Sequence, residues 1–186
     1  MDDQSRGVKI KASEEVMGYL KVADEESLIF YREGVGDLPF GTRIDAYIGL
    51  EGKEDLEIIV GNNARVRGSG VLEFQHLDLN LGDNANVRFE VSADELNLQA
   101  ESNTRLKLDG FARVTNLKSS GNASLNARDF STEELLVDIE GNSAVNFNNA
   151  TSIAGNVGGN SILTAGSEGE NEDLWKSGNA AINIKK

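Results

Sequence analysis

Gly121-Asn122-Ala123-Ser124-Leu125-Asn126 is one copy of a phrase that the chain writes seven times: Asn, a small residue, any residue, an aliphatic residue, a polar residue. The asparagines are Asn63, Asn84, Asn103, Asn122, Asn142, Asn160 and Asn179, spaced by 21, 19, 19, 20, 18 and 19 residues. The small residues are Ala64, Ala85, Thr104, Ala123, Ser143, Ser161 and Ala180. The aliphatic slot holds Val66, Val87, Leu106, Leu125, Val145, Leu163 and Ile182, and the polar slot Arg67, Arg88, Lys107, Asn126, Asn146, Thr164 and Asn183.

A repeat of this length is one unit of a solenoid, too short to bury its own apolar face and obliged to stack on its neighbours. Leucine-rich repeats would place Leu at regular positions in every copy and add a helical segment. Here the fixed slot is Asn and its flanks alternate. Val87 and Phe89 face one way while Arg88 and Glu90 face the other, and Arg105 to Leu108 repeats the pattern. A second alternating stretch follows in each unit: Leu77, Leu79 and Leu81; Leu96 and Leu98; Leu135, Val137 and Ile139; Ile153 and Val157. The reading is an all-β fold, a parallel β-helix (β-solenoid) with about 19 residues per coil.

Coils stacked one strand spacing apart, about 4.8 Å, bring equivalent residues into vertical columns, and seven of them make a rod of about 34 Å. At the Asn slot each amide carries both donors and an acceptor and can bond the amides above and below. Asn also tolerates the left-handed backbone of a sharp corner, and Gly precedes it in the last four copies, Gly121, Gly141, Gly159 and Gly178. The asparagines are therefore read as a structural ladder.

The opening residues lack the phrase. Val8, Ile10 and Ala12 alternate with lysines, Ser13 to Tyr19 reads as a capped helical turn, and Leu28 to Tyr31 and Ile44 to Ile48 read as strands. The expected organisation is one domain over residues 1–186. Residues 1–60 would form irregular opening coils that cap the rod, and residues 61–186 the seven Asn coils. Lys185 and Lys186 would guard the far edge.

Bulk composition bounds the function. Of 186 residues, 39% are hydrophobic and only 6% aromatic, so one aliphatic core is expected. Twenty glycines against one proline fit many tight turns. Thirty-one acidic and 18 basic residues give a net charge of −13, which disfavours nucleic acid and anionic membranes as partners. There is no cysteine, hence no disulfide and no thiolate zinc site. No apolar run approaches the roughly 20 residues of a spanning helix. The polar start, Met1 to Gly7, is not a signal peptide, which fits a cytosolic protein or a mature or trimmed chain.

No catalytic set is visible. His76 is the only histidine, so a Ser-His-Asp triad and His-based zinc sites have no members. Ala165 to Gly169 lacks the first glycine of a serine elbow, and Gly34-Val35-Gly36 lacks the third glycine of a dinucleotide fingerprint. Acidic clusters at Glu168, Glu170, Glu172 and Asp173, and at Asp78 with Asp83, lack the glycine-rich nonapeptide of calcium-binding solenoids and read as solvated. No metal or cofactor is expected. Two features could bind a ligand. Arg67, Arg88 and Lys107 would stack into a positive stripe able to grip an anionic glycan, unless they pair with Glu90, Glu101 or Asp109 of neighbouring coils. Trp175 could stack on a sugar ring or pack on the last coil.

Glu140-Gly141-Asn142-Ser143-Ala144-Val145, Lys176-Ser177-Gly178-Asn179-Ala180-Ala181-Ile182 and Arg67-Gly68-Ser69-Gly70 resemble the glycine-serine-glycine turn units of the head GIN domain family of putative auto-transporter adhesins of Bacteroidetes-type bacteria. Val8-Lys9-Ile10 through Leu28-Ile29-Phe30 is similar to that family's lead-in strands. The resemblance implies a single-stranded right-handed β-helix, export to the periplasm or cell surface, and an adhesive rather than catalytic role. A surface polysaccharide or another envelope protein would be the partner. Two other readings stand beside it, a polysaccharide-degrading β-helix enzyme and a bactofilin-like scaffold that polymerises end to end.

Overall fold

The structure is a computed structural model that describes the backbone of residues 8–11, 20–22, 30–32 and 45–48, and residues 55–61, 64–167, 169 and 173–186 in full. The chain resolves into two compact units, Met1–Glu51 and Gly52–Lys186. In the first unit, β1 (Val8–Lys11) pairs antiparallel with β4 (Asp45–Ile48), and β2 (Leu20–Val22) pairs antiparallel with β3 (Phe30–Arg32). The helical turn expected over Ser13 to Tyr19 lies outside the described residues, as do Gly34-Val35-Gly36.

The second unit is a parallel β-solenoid of about seven turns, and no helix occurs among its described residues. Its strands are β5 (Leu56–Val60), β6 (Arg65–Leu81), β7 (Asn86–Ala100), β8 (Arg105–Ser119), β9 (Ser124–Ile139), β10 (Ala144–Val157), β11 (Ile162–Ser167), β12 (Leu174–Lys176) and β13 (Ala181–Lys185). Each pairs with the equivalent stretch one coil away: Val66, Val87, Leu106, Leu125, Val145, Leu163 and Ile182 form one continuous column. The two strands per coil inferred from alternation are, in β6 to β10, one long strand that bends without breaking. In β7 the inward residues are Val87, Phe89, Val91 and Ala93, then Leu96, Leu98 and Ala100. Asp94 and Glu95 both point outward between these runs, which flips the alternation and turns the chain onto the next face.

The core is aliphatic, as composition dictates. Leu79, Leu98, Leu117 and Val137 stack one above another, as do Leu77, Leu96, Thr115, Leu135 and Ile153, and all nine are buried. Phe130 and Phe147 add an edge-to-face contact with centroids 6.0 Å apart.

The corner that closes each coil sets the register. Along its outside, Asn103 donates to Asn84 Oδ1 at 3.0 Å, Asn122 to Asn103 at 3.0 Å, Asn142 to Asn122 at 3.0 Å, Asn160 to Asn142 at 3.1 Å and Asn179 to Asn160 at 3.1 Å. Asn63 lies outside the described residues. These amides are exposed, so a terminal rung is hydrated rather than orphaned. Positive φ belongs mainly to the residue before the asparagine: Asp83 (47°), Ser102 (57°), Gly121 (75°), Gly141 (77°), Gly159 (66°) and Gly178 (63°). Among the described ladder asparagines only Asn84, at 66°, shares it, so the slot selects Asn for its amide rather than for left-handed tolerance. From Ala85 onward the small residue after each Asn points inward and is buried, and where it carries a hydroxyl, a corner carbonyl accepts its hydrogen bond. Thr104 donates to Glu101 O, Ser143 to Glu140 O at 2.9 Å, and Ser161 to Gly141 O at 3.4 Å.

Asn122→Ala removes one donated and one accepted rung. At about 0.5–1.5 kcal/mol net per bond, it is expected to cost about 1–3 kcal/mol, towards the lower end because the site is exposed. Gly141→Ala should cost more, since a Cβ there keeps φ at +77° and lies 2.5 Å from Gly121 O. Urea midpoints of the two variants test the order; a wild-type midpoint for Asn122→Ala would show that the ladder adds no stability.

Candidate functional site

The register brings Arg67, Arg88 and Lys107 into one outward column, continued by Asn126, Asn146, Thr164 and Asn183. A column of acids, Glu90, Asp109 and Asp129, runs beside it. Arg88 Nη2 lies 3.4 Å from Asp109 Oδ2, and Lys107 Nζ reaches Asp109 Oδ1 at 2.9 Å and Asp129 Oδ2 at 3.3 Å. The hydrogen bond from Lys107 goes to Asp109 Oδ2 at 3.1 Å. Asp109 Oδ1, buried and without a well-aligned donor, is held by the ammonium charge alone. The Asp109 hydrogen bond, reinforced by Asp129 and opposed by partial desolvation, raises the Lys107 pKa above its usual 10.5. Arg67 has no ion-pair partner among the described residues. Two of the three cations in the stripe are thus engaged in ion pairs that reach a neighbouring coil.

Trp175 is 67% exposed and stands on a different face, above Asn156 and Asp138. The structure therefore does not bring it together with the cation stripe. Beside its column runs a second amide ladder: Asn97 donates to Asp78 Oδ1 at 2.8 Å, and Asn116 to Asn97 Oδ1 at 2.8 Å and to Glu95 at 2.9 Å. This ladder was hidden in the sequence because its three members are not of one residue type, and the column ends at the exposed Leu136. The same spacing of 19 residues, searched at every position rather than at the Asn motif alone, would reveal Asp78, Asn97 and Asn116.

His76 bonds through Nδ1 to Asp55 at 2.7 Å, with Glu95 3.8 Å from its other ring nitrogen. Asp78 is engaged by Asn97, and Asp83 is exposed at its corner. Glu168, Glu170 and Glu172 lie outside the described residues. Among the described residues no three His, Cys, Asp or Glu side chains converge as a metal site would require, and no helix is long and apolar enough to cross a membrane.

A rod of parallel coils with amide ladders along its outer faces and side chains in columns defines a β-solenoid module. The chain belongs to the family described as putative auto-transporter adhesin, head GIN domain, whose model matches residues 1–166. The Asn179 to Asn160 rung carries the same architecture beyond the matched stretch. No curated protein sequence matches the chain.

Lys107 supplies a pH test with a definite sign. Because its folded pKa is raised, the native state holds a proton that the unfolded chain releases, so this contribution is complete below about pH 10.5 and is lost as pH rises through the folded value. Asp109→Asn removes the main cause. Its urea midpoint should fall less steeply than that of wild type above pH 10.5; parallel curves would show that the pair does not couple to folding.

Proposed function

We propose that the protein is a non-enzymatic module of the cell envelope or surface, and that its solenoid presents columns of polar side chains to a polysaccharide. The observation that carries this reading is the form of the outer surface. Stacking repeats every coil's side chains about 4.8 Å apart along straight columns, which suits a polymer lying across the coils better than a small substrate held at one reacting atom. Membership of an adhesin family supports both the adhesive role and an exported or surface location. A polysaccharide-degrading enzyme would gather carboxylates and a base around one bond. Of the acids weighed above, Asp109 is engaged with Arg88 and Lys107, and Asp78 with Asn97.

A glycan array carrying neutral and acidic polysaccharides, probed with the intact chain, should give saturable binding to at least one polymer. The same polymer incubated with the protein should release no new reducing ends and no unsaturated products. Failure to bind any polysaccharide would remove the adhesive reading, and turnover would replace it with an enzymatic one.

A further inference from the structure

The intervals between ladder asparagines are unequal, and the structure shows where the coils differ. Between Asn122 and Asn142 the coil has 20 residues; the next, between Asn142 and Asn160, has 18. The register between β9 and β10 absorbs this difference in one place: Phe147 pairs with Ala127, but Asn149 pairs with Ser131, so β9 spends two more residues than β10. Arg128 lies in that excess. A short coil set on a long one leaves a step, and the step is an open groove of about 580 Å³, within the size range of ligand-binding clefts.

Arg128 borders the groove on one side, and Lys185 and Lys186 on the other. Between them Asn149, Gly166 and Lys185 form one column. Gly166 has no side chain, and a Cβ there would lie 2.5 Å from Asn148 O, so the backbone of the neighbouring coil comes close at this position and its carbonyl lies at the lining. Asn146, Asn148 and Thr164 supply amide and hydroxyl groups to the lining, and no Asp or Glu side chain among the described residues lines it. Arg88 and Lys107 are paired with acids on this acidic rod. Arg128, Lys185 and Lys186, by contrast, are exposed and have no ion-pair partner among the described residues. Three cations bordering one cleft give it a positive local potential that favours an anion.

We infer that this groove binds an acidic saccharide, with the carboxylate or sulfate held by Arg128 and Lys185 and the ring hydroxyls bonded by Asn146, Asn148 and Thr164. Arginine matches the planar geometry of a carboxylate, and amides and hydroxyls match sugar hydroxyls, which both donate and accept. A nucleic acid would require a platform for its bases, but the aromatic ring at the groove, Phe147, is buried. The net charge of −13 opposes a long, dense polyanion, so a short acidic segment with spaced charges is the better fit. The inference rests on the surface-module reading and assigns it a site. Lys185 and Lys186 lie beyond the stretch that matches the family.

The test is titration calorimetry of the intact chain at low salt with a uronic acid oligosaccharide, a sulfated oligosaccharide, a neutral oligosaccharide and a single-stranded DNA oligonucleotide. Binding of either acidic sugar, weakened roughly tenfold or more by Arg128→Glu with Lys185→Glu and weakened by added salt, is the expected result. The milder pair Arg128→Gln with Lys185→Gln, kept at the wild-type urea midpoint, separates loss of the site from loss of the fold. Arg105→Glu reverses one exposed charge outside both the groove and the stripe and should leave the affinity nearly unchanged. An equal loss with Arg105→Glu, or DNA bound as tightly as the acidic sugar, would overturn the inference. No binding of either acidic sugar would overturn it too; binding to neutral glycans would then leave the surface-module reading standing, and binding to no glycan would bring down both.

Discussion

Every coil of the solenoid must close directly above the one below, and the corner before each asparagine is where that closure is enforced. At Gly121, Gly141, Gly159 and Gly178 the backbone turns left-handed, and the next amide N–H bonds down to the corner carbonyl of the preceding coil. Asn142 N reaches Gly121 O at 2.7 Å, Asn160 N reaches Gly141 O at 2.8 Å and Asn179 N reaches Gly159 O at 2.8 Å. These corner backbones are so close that a side chain on Gly141 would strike Gly121. The asparagine amides then join the outside of the same corner. Backbone and side chain thus repeat with one translation, and a coil displaced by a residue would break both sets of bonds while turning its leucines outward.

The bend just after the polar slot, where the register shifts between Arg67 and Val71, Lys107 and Asp109, and Phe147 and Asn149, is governed differently. It carries no ladder, and it is where coil length is allowed to vary. The longest interval, 21 residues from Asn63 to Asn84, appears in the register as Val71 pairing with Glu90 after Arg67 pairs with Arg88, an excess of two over the 19-residue coil above. The 20-residue coil shows its one extra residue at the same bend, where Lys107 pairs with Asn126 but Asp109 pairs with Asp129. Insertions are tolerated there because the extra residue bulges outward and leaves the inward alternation on either side intact. One corner is therefore fixed by stacking, and the other is free to acquire a ledge or a groove without cost to the core.

This division explains what could be read from the sequence. The fixed corner repeats residue types, so Asn122 and its equivalents, the buried small residue and the aliphatic slot were all legible from periodicity. That Asp83 and Ser102 do the work of Gly121 was less so, because neither residue announces a left-handed backbone and only the coordinates show their positive φ. The Asp78, Asn97 and Asn116 ladder repeats a function rather than a residue type. The groove was not legible at all: it arises from a difference in length between two coils, and its cations, Arg128 and Lys185, are 57 residues apart in the chain. The stripe of Arg67, Arg88 and Lys107 shows the converse. Its alignment was readable from spacing, and so was its pairing with Asp109; the added contact of Lys107 with Asp129 was not, because the bulge in β9 brings that residue into the acidic column.

The two groups of cations follow from one electrostatic circumstance. In a chain of charge −13, stacking can set a basic side chain beside an acid one coil away, as Arg88 finds Asp109, because the outward columns of neighbouring coils lie side by side. A basic side chain at a step finds no such neighbour, since the column is interrupted. Arg128 sits in the bulge, and Gly166 leaves the position below Lys185 without a side chain. The interrupted column thus leaves Arg128 and Lys185 without an ion pair among the described residues, where Arg88 and Lys107 have theirs in Asp109.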